Sequence, residues 1–187
     1  NQTIYVHPEW YKTDDEGNII PPVDDWSDVA GYNYEVPELR DYMVGALKYW
    51  VEEFDIDGYR CDVAGMVPVD FWNRARHELD QIKPVFMLAE AHEPELHEYA
   101  FDMTYAWSDH FIWNEVAQGK NTVDDLVEQF EKVKTEYKSS DYRMNFVSNH
   151  DQNSWKASVF EIMGEAAEAF FVLSATVPGM PLVERGQ

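Results

Sequence analysis

Three short runs of strand-forming residues in this sequence end in a carboxylate, and this feature constrains the fold more than any other. The runs are Gly58-Tyr59-Arg60-Cys61-Asp62, Phe86-Met87-Leu88-Ala89-Glu90 and Phe146-Val147-Ser148-Asn149-His150-Asp151. In a parallel α/β protein the carboxyl ends of the strands meet at one face, which presents the catalytic groups. Asp62, Glu90 and Asp151 are therefore candidates for one shared site. The alternative is that each residue caps a helix or faces solvent.

Helical periodicity alternates with strand-like runs after residue 36. The sequence predicts helices at 37–53, 69–82, 94–100, 122–138 and 160–176, and strands at 54–63, 84–90, 101–105, 143–148 and 181–184. Strands that alternate with helices, without hairpin signals, indicate parallel βα units and hence an α/β fold. Residues 1–36 instead contain loop-forming pairs such as His7-Pro8 and Pro21-Pro22.

Three carboxylates that meet at strand ends can cleave a glycosidic bond. Hydrolysis with retention uses one carboxylate as nucleophile and one protonated carboxyl as general acid, about 5 Å apart. A third carboxylate can hold the sugar ring and its developing positive charge. Arg60 lies two residues before Asp62, on the same strand face, and its cation favours an ionised nucleophile. The apolar run before Glu90 predicts a raised pKa for that carboxyl, as a general acid requires.

These segments resemble the conserved motifs of the α-amylase family of glycoside hydrolases. The family has a G-x-R-x-D strand, a strand that ends in Glu and a strand that ends in N-H-D, and all three occur here in the family's order. The resemblance implies that Asp62 is the nucleophile, Glu90 the general acid/base and Asp151 the transition-state stabiliser. It also implies that Arg60 keeps the nucleophile ionised and that His150 hydrogen-bonds the sugar. Further similar segments lie at 25–30, 101–105 and 178–182.

The resemblance implies a partial (β/α)8 TIM barrel, with strands four to eight and their helices. We expect residues 1–36 to be a loop-rich segment that follows the third barrel strand, and residues 37–187 to form the partial catalytic barrel. This reading makes the chain a fragment of a longer protein. Unpaired sheet edges and an uncovered barrel interior predict that the fragment alone self-associates and is inactive.

Two positions depart from the family pattern. Gly65-Met66 stand where many members carry Lys-His, and Glu184-Arg185 stand where an aromatic residue is common. The family's first conserved motif, which supplies a sugar-binding His and an Asn that often ligates calcium, is expected before this chain, and Asn1-Gln2-Thr3 is left unassigned. The resemblance therefore allows calcium in the full-length protein and assigns no metal ligand within these residues.

The net charge and the hydropathy of the sequence limit the classes of molecule that this protein can bind. The chain has 36 acidic and 14 basic residues and a formal net charge of −22, which argues against nucleic acid and anionic membrane surfaces. A neutral α-glucan or maltooligosaccharide is compatible with this charge. The sequence contains no apolar run long enough for a membrane span. It leaves the cellular location open.

The sequence argues against a zinc helix, a calcium-binding loop and a reactive cysteine. His92 and His97 are five residues apart instead of four, and Pro94 interrupts the turn, which argues against a zinc helix. The segment at 14–18 lacks the ligand pattern of a calcium loop and predicts a solvated turn. Cys61 precedes Asp62 within the strand and is predicted to be a buried structural thiol.

The leading hypothesis is a retaining glycoside hydrolase that cleaves α-glucosidic bonds of starch-like glucans or maltooligosaccharides by double displacement. A transglycosylase or an α-1,6-glucosidase of the same family is an alternative, because these enzymes share the carboxylate trio. A non-catalytic sugar-binding protein, or a relative of transporter heavy subunits, is an alternative from another class. Such proteins usually lack the carboxylates, so the trio with Arg60 and His150 favours an enzyme.

Overall fold

A computed structural model describes residues 3–185, which fall into two compact units. The first unit comprises the residues up to Gly58 together with Met66–Val85. The second comprises Tyr59–Gly65 and the residues from Phe86 onward. Asn1-Gln2, which belong to the unassigned N-terminal triplet, and the C-terminal Gly186-Gln187 lie outside the described residues. The domain limits 1–36 and 37–187 stay predictions.

Two long helices pack together in the first unit. They are α2 (Pro37–Phe54) and α3 (Val69–Asp80). Pro37 stands at the first helical position of α2, where its missing N–H costs no hydrogen bond. Asp55 ends the helix in the left-handed conformation, with φ of 53°. The predicted strand at 54–63 therefore begins later than expected, because α2 runs to Phe54.

The segment before α2 contains only short elements of secondary structure, and it packs against α2. It contains α1 (Thr3–Val6), a 3-10 turn (Pro8–Trp10) and antiparallel bridges that join Tyr11 to Tyr32 and Thr13 to Ile19. Trp10 and Tyr11 are buried with Leu39 of α2. The predicted solvated turn at 14–18 is confirmed, since its residues are exposed and Asp14 accepts a hydrogen bond from the Asn18 N–H.

A five-stranded sheet organises the second unit. In spatial order the strands are β1 (Gly58–Cys61), β2 (Phe86–Ala89), β3 (Met103–Tyr105), β4 (Tyr142–Asn145) and β5 (Met180–Pro181). The pairs from β2 to β5 are parallel, with Thr104 opposite Arg143 as one register point. Neighbours in space are thus neighbours in sequence, as in a barrel wall. The predicted α/β fold with parallel strands is confirmed.

Helices connect the strands of this sheet. The segment between β3 and β4 forms α4 (Trp107–Ala117) and α5 (Val123–Glu136), and the segment between β4 and β5 forms α6 (His150–Trp155), α7 (Val159–Met163) and α8 (Ala167–Thr176). Short 3-10 turns lie at Ala64–Met66, Pro94–His97 and Gly164–Ala166. Capping boxes begin α5 at Thr122 and α7 at Ser158.

The structure corrects several predicted elements. The helices α1, α4 and α6 were not predicted from the sequence, and the predicted helix at 160–176 is divided at Gly164, whose φ is 56°. α4 escaped detection because it buries polar Asp109 and His110 beside Trp113, so its pattern is not one-sided. The predicted helix at 94–100 is only the 3-10 turn at Pro94–His97.

Apolar clusters and one ion pair hold the second unit together. Met103, Tyr105, Met144 and Phe146 form one cluster, and a second surrounds Trp113. Beside them, Arg143 of β4 places its Nη1 2.6 Å from Asp109 Oδ2 of α4, with both side chains almost fully buried.

Gln129 of α5 donates to the other Asp109 oxygen at 2.7 Å. This buried polar network therefore joins α4, α5 and β4.

Among the described residues, no helix is both long and apolar enough to cross a membrane.

Candidate active site

All five predicted site residues lie in the second unit. Arg60 is in β1, Asp62 follows that strand, and Glu90 follows β2. His150 and Asp151 lie in the first turn of α6. Asp62 and Glu90 thus directly follow their strands, whereas His150 and Asp151 lie in the helix after β4.

Arg60 joins the ends of β1 and β2. Its Nη1 forms an ion pair with Asp62 Oδ1, and its Nη2 lies 3.0 Å from Glu90 Oε1. Its Nε donates to the Tyr105 hydroxyl at 3.3 Å. Burial by itself lowers the pKa of Arg60, but the hydrogen bonds to Tyr105 and Asp62 and the charge of Glu90 outweigh it and raise that pKa. The guanidinium is therefore a fixed cation between two carboxyl groups, and the predicted Arg60–Asp62 proximity is confirmed.

Glu90 is enclosed where Asp62 is open. The Glu90 side chain is 11% exposed, whereas that of Asp62 is 76% exposed. Glu90 Oε2 accepts a hydrogen bond from the Val63 backbone N–H at 2.9 Å, and the Glu90 N–H donates to the Cys61 carbonyl at 2.9 Å. The two carboxyl groups therefore share Arg60 but differ in their access to water.

The environment of Glu90 raises its pKa. Burial is the largest cause, and the negative charges of Asp62 and Asp151 add to it, while the Val63 N–H and Arg60 act in the opposite direction. The predicted raised pKa is confirmed. Asp62 and Asp151 thus both act electrostatically on Glu90.

The end of β4 departs from the prediction. The strand ends at Asn145 rather than running into the Asn-His-Asp motif, and α6 begins at His150. Asn149, a buried residue, caps this helix: its Oδ1 accepts a hydrogen bond from the Gln152 N–H at 2.9 Å. His150 Nε2 lies 3.4 Å from Asp151 Oδ2, and these two side chains are 57% and 41% exposed.

The departure at Gly65 has a structural counterpart in the loop after Glu90. A Cβ atom at Gly65 would lie 3.0 Å from Glu93 Oε2 and 3.1 Å from Glu93 Oε1. Glu93 Oε2 also accepts from the His92 N–H at 3.0 Å. The missing side chain at Gly65 therefore lets the Glu93 carboxylate lie against the turn that follows Asp62.

The sequence analysis missed two residues of this site. Tyr105 ends a predicted strand, so the same strand-end argument that found the carboxylates could have found it. Val63 had no signal, because nothing in the sequence predicts a left-handed conformation for a β-branched residue.

Cys61 and His97, for which the sequence argued against reactive and metal-binding roles, make structural contacts. Cys61 is buried, and burial raises the pKa of its thiol to about 12, which confirms the predicted structural role. His97 Nε2 contacts the Thr104 hydroxyl at 2.8 Å. Between residues 3 and 185, no three or more His, Cys, Asp or Glu side chains cluster in a way that could hold a metal ion. Calcium in the full-length protein remains an expectation from the resemblance.

A comparison with known protein families gives one match. The model described as "Alpha amylase, catalytic domain" matches residues 24–187. A maltogenic alpha-amylase from Bacillus acidopullulyticus is 33% identical over 168 residues, which cover 86% of this chain and 28% of that protein.

Solved structures agree with the sequence matches. A noncanonic maltogenic alpha-amylase, AmyB, from Thermotoga neapolitana is 37% identical with a TM-score of 0.86, over 100% of this chain and 43% of that one. An alpha-amylase from Lactobacillus plantarum is 32% identical with a TM-score of 0.87, over 99% of this chain and 47% of that one. The chain thus spans less than half the length of these relatives, and the predicted partial TIM barrel is confirmed.

Proposed function

This chain belongs to the α-amylase family, and from that premise we propose that the full-length protein is a retaining glycoside hydrolase of α-glucosidic bonds. Its proposed substrates are starch-like glucans or maltooligosaccharides. The relatives named as maltogenic amylases support this substrate class.

The contrast between Asp62 and Glu90 carries the proposal. Asp62 forms an ion pair with the Arg60 guanidinium, which orients the carboxylate as suits a nucleophile. Glu90 is enclosed and has a raised pKa, as suits a carboxyl that must be protonated at the start of the reaction. Two carboxyl groups with different environments can take the two roles that retaining hydrolysis needs.

In the first step, an Asp62 oxygen attacks the anomeric carbon of the bound sugar. The bond to the glycosidic oxygen breaks, Glu90 gives its proton to that oxygen, and the leaving sugar departs with a free hydroxyl group. The ring becomes positively charged in the transition state, and the Asp151 carboxylate stabilises that charge. A sugar ester of Asp62 remains.

In the second step, Glu90 is a carboxylate and removes a proton from water. The water oxygen attacks the anomeric carbon, the ester bond breaks, and Asp62 leaves as a carboxylate paired with Arg60. Two inversions give net retention. The exposed His150 imidazole is available to hydrogen-bond the sugar held between the carboxyl groups.

The stereochemistry of the first product tests the mechanism. The full-length protein is incubated with maltotetraose, and proton NMR follows the new reducing end before mutarotation. We expect the α-anomer first, and an early β-anomer would refute double displacement.

Product analysis on amylose, pullulan and maltotriose tests the alternatives. Cleavage of amylose to short maltooligosaccharides supports α-1,4 hydrolysis. Products longer than the substrate indicate a transglycosylase, and selective cleavage of pullulan at α-1,6 bonds indicates an α-1,6-glucosidase. Binding of glucan without any cleavage would indicate a non-catalytic relative.

A further inference from the structure

Val63 has a backbone conformation that its side chain disfavours. Its φ is 47°, in the left-handed region that β-branched residues seldom adopt. Asp55 is the other non-glycine residue with positive φ between residues 3 and 185, and it ends a helix, where such a conformation is common. Val63 ends no helix and directly follows Asp62. Backbone strain of this kind persists where the surrounding structure imposes it, and it concentrates at functional sites.

The conformation of Val63 directs its N–H group to Glu90. The Val63 nitrogen lies 2.9 Å from Glu90 Oε2 and donates a hydrogen bond to it. Arg60 Nη2 lies 3.0 Å from the other oxygen, Oε1, but that nitrogen makes no contact with hydrogen-bond geometry. The Val63 amide is therefore a direct hydrogen-bond donor to the Glu90 side chain.

We propose that Val63 is a positioning residue whose left-handed backbone aims its N–H at Glu90 Oε2 and fixes that carboxyl throughout the reaction cycle. This inference rests on the proposed role of Glu90 as acid and base. A donor on Oε2 holds the carboxyl in one rotamer in both protonation states.

The same hydrogen bond balances the charge state of Glu90. A backbone N–H stabilises the carboxylate more than the acid, so it opposes the raising of the Glu90 pKa by burial and by Asp62 and Asp151. Arg60 acts in the same direction as the amide. Without the amide, the Glu90 pKa would rise further, and the group would remain protonated to higher pH.

Replacement of the Val63 amide by an ester tests the proposal directly. The full-length protein is made with the α-hydroxy analogue of valine at position 63, which deletes the N–H and keeps the side chain. We expect the alkaline limb of kcat/KM on maltotetraose to move up by about one pH unit, because a hydrogen bond to a charged group is lost. We also expect kcat at the optimum to fall about tenfold, since the carboxyl loses its fixed orientation.

Val63→Gly is the matched control. Glycine keeps the N–H and reaches positive φ without steric cost, so the alkaline limb should stay at the wild-type pH. If the valine ester does not fold, the ester of the glycine variant, made with glycolic acid at position 63, replaces it, because that backbone carries no strain. Folding of each variant is checked by near-UV circular dichroism.

The outcomes separate this inference from the proposed function. An upward shift in the ester but not in Val63→Gly supports the positioning role. An unshifted or lowered limb in the ester, or an equal shift in both variants, overturns it. If the wild-type protein cleaves no α-glucan, the proposed function fails first, and the inference fails with it.

Discussion

The ends of β1 and β2 differ from the end of β4 in how much the chain itself holds the site residues. At β1 and β2, Arg60 contacts both Asp62 and Glu90, and the Val63 amide adds a hydrogen bond to Glu90. At β4, His150 Nε2 lies 3.4 Å from Asp151 Oδ2, a contact between adjacent residues of α6.

This difference separates chemistry from sugar binding. The groups proposed to make and break bonds are held in place before substrate arrives, which reduces the reorganisation needed in the transition state. His150, by contrast, is proposed to hydrogen-bond the sugar and not to make or break a bond. Substitutions at β1 and β2 should therefore change bond cleavage and its pH dependence, and substitution of His150 should mainly change binding.

Asp62→Asn should have the largest effect of any single substitution. We expect kcat on maltotetraose to fall by about a thousandfold or more, because the amide keeps the shape of the carboxylate but is not a nucleophile. Glucan binding, measured by calorimetry, should survive within a few-fold. Near wild-type turnover would show that Asp62 is not the nucleophile. It would also contradict the proposed difference between the ends of β1 and β2 and the end of β4.

Glu90→Gln should cause the second-largest loss of activity. We expect a loss of about a hundredfold or more on maltooligosaccharides, since the leaving sugar needs the proton that glutamine cannot supply. The loss in formation of the glycosyl-enzyme should be far smaller for an aryl glycoside with a good leaving group, which needs little protonation. Burst kinetics on both substrates measure this step, and equal losses would contradict the acid assignment.

Arg60→Met should change the pH dependence more than the overall rate. Arg60 lowers the pKa of Glu90, so its removal raises that pKa, and the acid stays protonated to higher pH. The alkaline limb of kcat/KM should therefore move up, with a loss of about tenfold at the optimum. A downward shift of the limb would show that Arg60 acts on Glu90 in another way.

Arg60→Lys is the matched control for charge alone. Lysine keeps a cation but cannot reach Asp62, Glu90 and Tyr105 with one planar fork, so we expect only a partial return of the wild-type limb. Full rescue by lysine would mean that the geometry of the fork is unimportant.

His150→Ala should have the smallest effect of the four. We expect KM on maltotetraose to rise by about three- to tenfold, as for the loss of one hydrogen bond, with a smaller change in kcat. Thermal stability should stay close to wild type, because the side chain is exposed. A large fall in kcat at unchanged KM would place His150 with the preorganised groups and break the contrast between the two regions.

The sequence predicted those parts of the site that depend on local periodicity. Arg60 and Asp62 lie two residues apart in an extended segment, so their side chains had to share a face. The apolar run before Glu90 likewise predicted its burial. The start of α6 at His150 was not predicted, because Phe146 and Val147 have strand-like side chains although β4 ends at Asn145, and the helix depends on the Asn149 cap.

Features that depend on contacts between distant segments could not be predicted. The hydrogen bond of Val63 joins the residue after one strand to the residue after the next, and its left-handed backbone contradicts the local preference of valine. The contact of Gly65 with Glu93 has the same origin. Sequence periodicity gives the face of an element, whereas these contacts depend on how neighbouring loops meet.

The buried ion pair between Asp109 and Arg143 has a consequence for how this protein can diverge. Replacement of either partner alone leaves an unpaired buried charge, at a cost of about 3–5 kcal/mol. That is a large share of the roughly 5–15 kcal/mol by which a domain is stable. During evolution the pair can therefore be lost only if both residues change together, or if another substitution offsets the lost stability. Across homologues, the two positions should covary, with an acidic residue at 109 wherever 143 is arginine and apolar residues at both where it is not.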